Sequence, residues 1–268
     1  MGRMNSKAAL WMGAGDFHMP YHDKRATECF TKAVRDLKPD HLVLGGDVLD
    51  CEKFSGHRRR AVVEAQAHDW HKDELTPAKN WVDSLVKATK GKVYFLEGNH
   101  EARIETWAVS AGVAGCSVYS MVSPKSMFSK GLSKDQFSYL PWLNRYSSKN
   151  YVSIGTKLVA VHGWSWCQHA ASKHLELSRS RSIVYHHSHR QQRDSSHDPW
   201  NKQPIEAFNA GCMCQLQPIY GIGGNPSSWV HGFWIVYVSH QKPSDFTAYS
   251  IMVNRGRAIL PDGMEIKV

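Results

Sequence analysis

Five short polar runs carry the side chains able to do chemistry: Gly15-Asp16-Phe17-His18, Gly45-Gly46-Asp47-Val48-Leu49-Asp50, Gly98-Asn99-His100-Glu101, Val161-His162-Gly163 and His186-His187-Ser188-His189-Arg190. Asp, Asn and His in this mix are donors for divalent transition metals, whereas a Ca²⁺ or Mg²⁺ site would be built from oxygen alone. Asp16, His18, Asp47, Asn99, His162, His187 and His189 gathered in one place cannot satisfy each other by hydrogen bonding, because crowded carboxylates and neutral imidazoles need a cation. The count suits two ions. With Asp47 bridging, Asp16, His18 and His189 complete one, and Asn99, His162 and His187 complete the other. Mn²⁺ is taken first, with Fe, Zn²⁺ and Ni²⁺ as alternatives. Two such ions about 3.5 to 4 Å apart would hold a bridging hydroxide and two phosphoryl oxygens, the arrangement for in-line attack on a phosphate ester. His100 is surplus to the ligand count and is the candidate to protonate the leaving oxygen or stabilise its charge.

Convergence of these runs requires a particular scaffold. Each follows a short apolar run, and in the first half these alternate with longer amphipathic segments, the mark of an α/β sheet. Strands are predicted at 8–14, 41–44, 92–96, 157–161 and 182–185, with helices at 24–37, 60–90 and 168–177. In open α/β sheets ligands gather beyond the carboxyl ends of strands, so all five tips should meet. The spacing predicts an irregular insertion around 117–151, a polar loop over 191–202 and a closing antiparallel pair at 229–238 and 246–253. One domain over 1–268 is expected.

In this order the five runs resemble the calcineurin-like metallophosphoesterase superfamily, with its Asp-x-His, Gly-Asp-x-x-Asp, Gly-Asn-His-Glu or Asp, lone His and Gly-His-x-His. The resemblance implies a four-layer α/β/β/α sandwich of two mixed sheets, with two metals at the sheet edge. It also implies that Asp50, three residues after the bridging Asp, pairs with His100 and fixes its tautomer. Met19 and Cys51 stand where the protein Ser/Thr phosphatase branch has Gly and Arg, so the resemblance is not to that branch. His186 occupies a position commonly Gly, where it would crowd the turn or add an imidazole.

Composition bounds the remaining classes. A 42% hydrophobic and 21% charged chain of 268 residues is globular, and 20 Gly with 11 Pro exclude collagen-like and low-complexity chains. The net charge of +9 favours an anionic partner. The His57-Arg-Arg-Arg60 run and Trp164 and Trp166 would suit DNA or RNA. The expected reaction is therefore hydrolysis of a phosphodiester in nucleic acid or a nucleotide. Phosphomonoesterase or pyrophosphohydrolase activity, and a non-catalytic nucleic-acid binder, are the alternatives. Six dilute cysteines argue for a reducing compartment, with Cys212 and Cys214 read as buried thiols rather than a metal pair. The start mimics a signal peptide, but cleavage there would remove the strand leading to Asp16, so a cytoplasmic protein without membrane contact is expected.

Overall fold

The computed structural model describes residues 8–55, 69–142, 150–178, 180–197, 204–217 and 228–268. The basic run 57–60, the start of the helix predicted from 60, and the glycine-rich turn at 221–226 lie outside them. In chain order the elements are β1 (Ala8–Ala14), α1 (Lys24–Leu37), β2 (His41–Leu44), α2 (Thr76–Ala88), β3 (Lys92–Leu96), α3 (Ala102–Ser110), α4 (Gly112–Val122), α5 (Pro124–Ser129), β4 (Phe137–Leu140), β5 (Val152–Ile154) and β6 (Leu158–Ala160). They continue with α6 (Ala170–Ser178), β7 (Ser182–Val184), β8 (Gln191–His197), β9 (Pro204–Ala210), β10 (Gly232–Ser239), β11 (Phe246–Met252), β12 (Arg257–Ile259) and β13 (Glu265–Lys267).

Two large mixed sheets form. The first has the order β11-β10-β1-β2-β3-β4 and the second β5-β6-β7-β9-β8, with β12 and β13 as a separate ribbon. β1 is hydrogen-bonded on both sides, antiparallel to β10 and parallel to β2. Alternate side chains of a strand face opposite layers, so Met12, Leu42, Leu44 and Phe95 pack with α1 and α2 residues such as Phe30 and Val82. Trp11, Val43 and Leu96 face the other way and meet Val184, Phe208 and Trp234 between the two sheets. The outer face of the second sheet, Val159 and Ile183, is covered by Ala170 and Ala171 of α6. Helix, sheet, sheet and helix are thus successive layers, the expected sandwich.

Local chemistry sets the boundaries. The Asp23 side chain accepts the Ala26 N–H at 2.8 Å to start α1, and Lys38 closes it in the left-handed region. Pro77 sits in the first turn of α2, where its missing N–H costs nothing, so it does not break that helix. The closing pair forms as predicted, β10 antiparallel to β11.

Two expectations are corrected. The stretch read as irregular from 117 is helical through Ser129, and it then supplies β4, parallel to β3. Mostly exposed, α4 has no amphipathic stripe to betray it. The segment from Gln191 is not loop at first but strand β8, antiparallel to β9 at the sheet edge. An edge strand with so little buried surface needs no apolar face, so its sequence reads as polar loop.

His174 of α6 is fully buried, with Nδ1 on the Ala170 carbonyl at 2.6 Å, Nε2 accepting the Trp164 N–H at 3.3 Å, and its ring stacked on Tyr185 at 3.9 Å. Burial holds its pKa down to about 4. The folded state therefore resists a proton that the unfolded chain accepts near 6.5, and stability present above that pH is lost as pH falls toward 4. Between pH 7 and 5 this residue should remove about 2 kcal/mol of folding free energy. His174→Phe, which keeps the stack, should lose correspondingly less over the same interval in urea melts. Equal pH slopes for the two proteins would refute this.

Candidate metal centre

The parallel strands β1, β2 and β3 present their carboxyl ends along one edge of the first sheet, and β6 and β7 do so in the second. The loops that follow lock together through the backbone. Asp16 N–H donates to Gly46 O at 3.0 Å, His18 N–H to Asp47 O at 2.9 Å and His186 N–H to His162 O at 2.9 Å. The Asp16 carboxylate accepts the His187 N–H at 3.1 and 2.9 Å, joining the loops of the two sheets. Asp47 Oδ1 accepts the His100 N–H at 2.8 Å.

All the predicted donors come together. Asp16, His18 and Asp47 place ligand atoms within 4.8 Å of one another, as do Asp47, His162 and His187. Asp47 belongs to both groups. His189 Nε2 lies 3.3 Å from His18 Nε2 and 3.6 Å from Asp16 Oδ1, and Asn99 Oδ1 lies 3.0 Å from His162 Nε2. Asp16, His18, Asp47, His187 and His189 all have positive φ, between 50° and 71°. Such strain in non-glycine residues persists only where the surroundings over-determine it, and it gathers at functional sites.

The proton positions show that this donor set fits a cation. His18 Nδ1 lies 3.0 Å from Asp50 Oδ1, and His162 Nδ1 lies 2.8 Å from Gly45 O. Both partners are acceptors, so each Nδ1 carries the hydrogen and each neutral ring turns its Nε2 lone pair inward. Those lone pairs face further acceptors, Asp47 Oδ2 at 3.8 Å from His18 and at 3.3 Å from His162. Only a proton or a metal reconciles them. Burial pushes the Asp16 carboxyl up to about 8, with the Asp47 charge adding to it. Burial pulls His162 down, but the charge of Asp47 outweighs it and raises this imidazole to about 9. His187 is held down to about 3 and His189 well below its usual value, both by burial first, so these two are neutral ligands in waiting.

His100 is placed beside this set, its ring 4.3 Å from that of His18. Its Nδ1 lies 2.7 Å from Asp50 O and 3.3 Å from Asp50 Oδ1. One Asp50 oxygen thus contacts both His18 and His100. Burial works against ionising Asp50, yet hydrogen bonds from both imidazoles hold it well below the usual carboxylate range.

Sequence reasoning missed four contributors. Arg103, one helical turn beyond His100, sets Nη2 3.0 Å from His100 Nε2 and donates through Nη1 to Asp50 O at 2.8 Å. Its i, i+3 spacing from His100 was a usable signal. Glu101 is fully buried and accepts the N–H groups of Asp47 at 3.0 Å, Leu49 at 2.8 Å and Gly98 at 3.0 Å. Cys214, read only as a buried thiol, places Sγ 3.7 Å from His189 Nδ1. Trp229 packs on His189 with ring centroids 4.1 Å apart. Among the described residues His186 joins none of the donor clusters, and its Nε2 accepts the Trp234 indole N–H at 3.4 Å. A Cβ on Gly45 would come within 2.1 Å of that imidazole, and one on Gly15 within 2.7 Å.

A family model described as calcineurin-like phosphoesterase matches residues 12–232. No curated protein matches the chain. Among solved structures, vacuolar protein sorting 29 from Cryptosporidium parvum is 15% identical, covering 94% of each chain with a TM-score of 0.46. Zinc-complexed Vps29 from Entamoeba histolytica is 13% identical over 96% of this chain and 95% of that one, TM-score 0.45. A metallophosphoesterase from Sphaerobacter thermophilus is 14% identical over 92% and 88%, TM-score 0.45. Identities this low carry no statement about activity. Among the described residues no helix is long and apolar enough to cross a membrane.

The Glu101 carboxylate should be irreplaceable even by its amide, since the Gln nitrogen would meet an N–H donor where an oxygen now accepts. Glu101→Gln is expected to lose about 1 to 3 kcal/mol of stability and to bind metal more weakly, read by thermal melts and calorimetric Mn²⁺ titration. Wild-type values in both would show that Glu101 does not hold the two loops.

Proposed function

The chain belongs to the calcineurin-like phosphoesterase family, and from that premise we propose that it is a dinuclear-metal hydrolase of phosphodiesters, acting on nucleic acid or a nucleotide. The supporting observation is the pair of inward-facing Nε2 atoms, on His18 and His162, aimed at the shared Asp47 carboxylate. Asp16, His18 and His189 would hold one ion with Asp47, and Asn99, His162 and His187 the other. Two ions held so supply Lewis acidity and a nucleophilic water of lowered pKa. Manganese is the ion to load first.

The residues of the chain divide the remaining work. Asp47, fixed by the His100 N–H and held near-fully buried, spans the two donor groups. His100 would act on the leaving oxygen through Nε2, because Nδ1 is committed to Asp50, and Nε2 would take up the proton it delivers once Arg103, whose Nη2 donates to it at 3.0 Å, turns to the phosphate. Burial lowers its pKa, but Asp47 and Asp50 reverse that and raise it, which favours a proton-carrying imidazole. Arg103 offers only N–H donors. Lying 3.0 Å from His100 Nε2, it would contact a non-bridging phosphate oxygen and stabilise its negative charge as the leaving group departs. The net charge of +9 supports a polyanionic substrate.

With Mn²⁺ loaded, a simple aryl phosphodiester should be hydrolysed faster than the matching monoester, and Asp47→Asn should abolish both activities. A rate ratio well below one would replace the diesterase with a monoester phosphatase. His100→Ala should keep two ions per chain by metal analysis while losing about 10²- to 10⁴-fold in turnover. Loss of an ion would instead make His100 a ligand and overturn this assignment.

A further inference from the structure

Three tryptophans stand around the donor set, each against a different histidine. Trp142 lies 5.6 Å from His162 at 77°, Trp166 lies 5.5 Å from His187 at 83°, and Trp229 lies 4.1 Å from His189 at 65°. In its near-perpendicular contact Trp166 leaves at least one indole face unused by the His187 imidazole. Trp166 is 61% exposed, an unusual state for the largest apolar side chain, and it sits on the short loop between β6 and α6 that also carries His162.

Trp166 thus stands exposed beside the donor set, next to His187. We propose that the substrate is single-stranded nucleic acid, bound with a base next to the scissile phosphate stacked on Trp166. This rests on the phosphodiesterase reading above and narrows it. Indole faces accept any base, so the site would select for unpaired strand rather than sequence. In a duplex the same bases are engaged by their neighbours and must be extracted first. The positive net charge supplies the attraction to the backbone.

The test is equilibrium binding by fluorescence anisotropy on Mn²⁺-loaded protein, with strands whose phosphorothioate linkages resist cleavage. Labelled oligo(dT), an abasic strand of equal length and charge, and a duplex are compared on wild type, Trp166→Ala and Trp166→Phe. Wild type should bind the single strand about 5- to 150-fold more tightly than the abasic strand. Trp166→Ala should remove most of that preference and Trp166→Phe should restore much of it. Equal affinity for all three probes, or a preference untouched by Trp166→Ala, would overturn the stacking proposal and leave the phosphodiesterase standing. A monoester preference in the rate ratio would instead sink the underlying reading, whatever the binding shows.

Discussion

The site depends on one buried carboxylate that touches no proposed metal. Glu101 gathers the N–H groups of Asp47, Leu49 and Gly98, and so ties the loop after β2 to the loop after β3. Without an acceptor there, three backbone donors would be left in a protein interior, a penalty the fold could not carry cheaply. With it, the left-handed conformation of Asp47 is held in place. The geometry on either side of Asp47 then follows, because His18 and His162 both aim at that one side chain.

Around this tie the protein concentrates groups that repel in the absence of a cation. Asp16 and Asp47 are nearly fully buried, and His18, His162 and His189 are buried beside them. Such a set destabilises the metal-free fold and is tolerated because the layers beneath it are so thoroughly packed, from Met12 and Phe30 on one face of the first sheet to Trp234 and Phe208 on the other. Asp50 shows how far the economy goes. One of its oxygens contacts both a proposed metal ligand, His18, and the proposed acid, His100, so the position of one ring constrains the other.

The strand tips were legible because their residue types are unusual where they stand. Asp16, Asp47 and His162 each end an apolar run, and polar groups in such places imply a shared purpose. Strands buried on both faces, such as β1 and β2, were equally legible as continuous apolar runs. What escaped notice was of two kinds. β8 and α4 lack an apolar face, since one is a solvated edge and the other is mostly exposed, so periodicity had nothing to report. Glu101 and Trp229 act through contacts across the fold, and no local pattern encodes a carboxylate that will meet backbone from a loop more than fifty residues earlier.

His186 carries a lesson of descent. Its imidazole fills the space above Gly15 and Gly45, leaving no room for a side chain at either, and it receives the Trp234 indole from the layer between the sheets. These four positions therefore form a unit that must change together: a side chain at 45 excludes the ring, and removing the ring leaves a void beneath the donors and an indole N–H without its acceptor. Any change of His186 by descent would therefore involve Gly15, Gly45 and Trp234 as well.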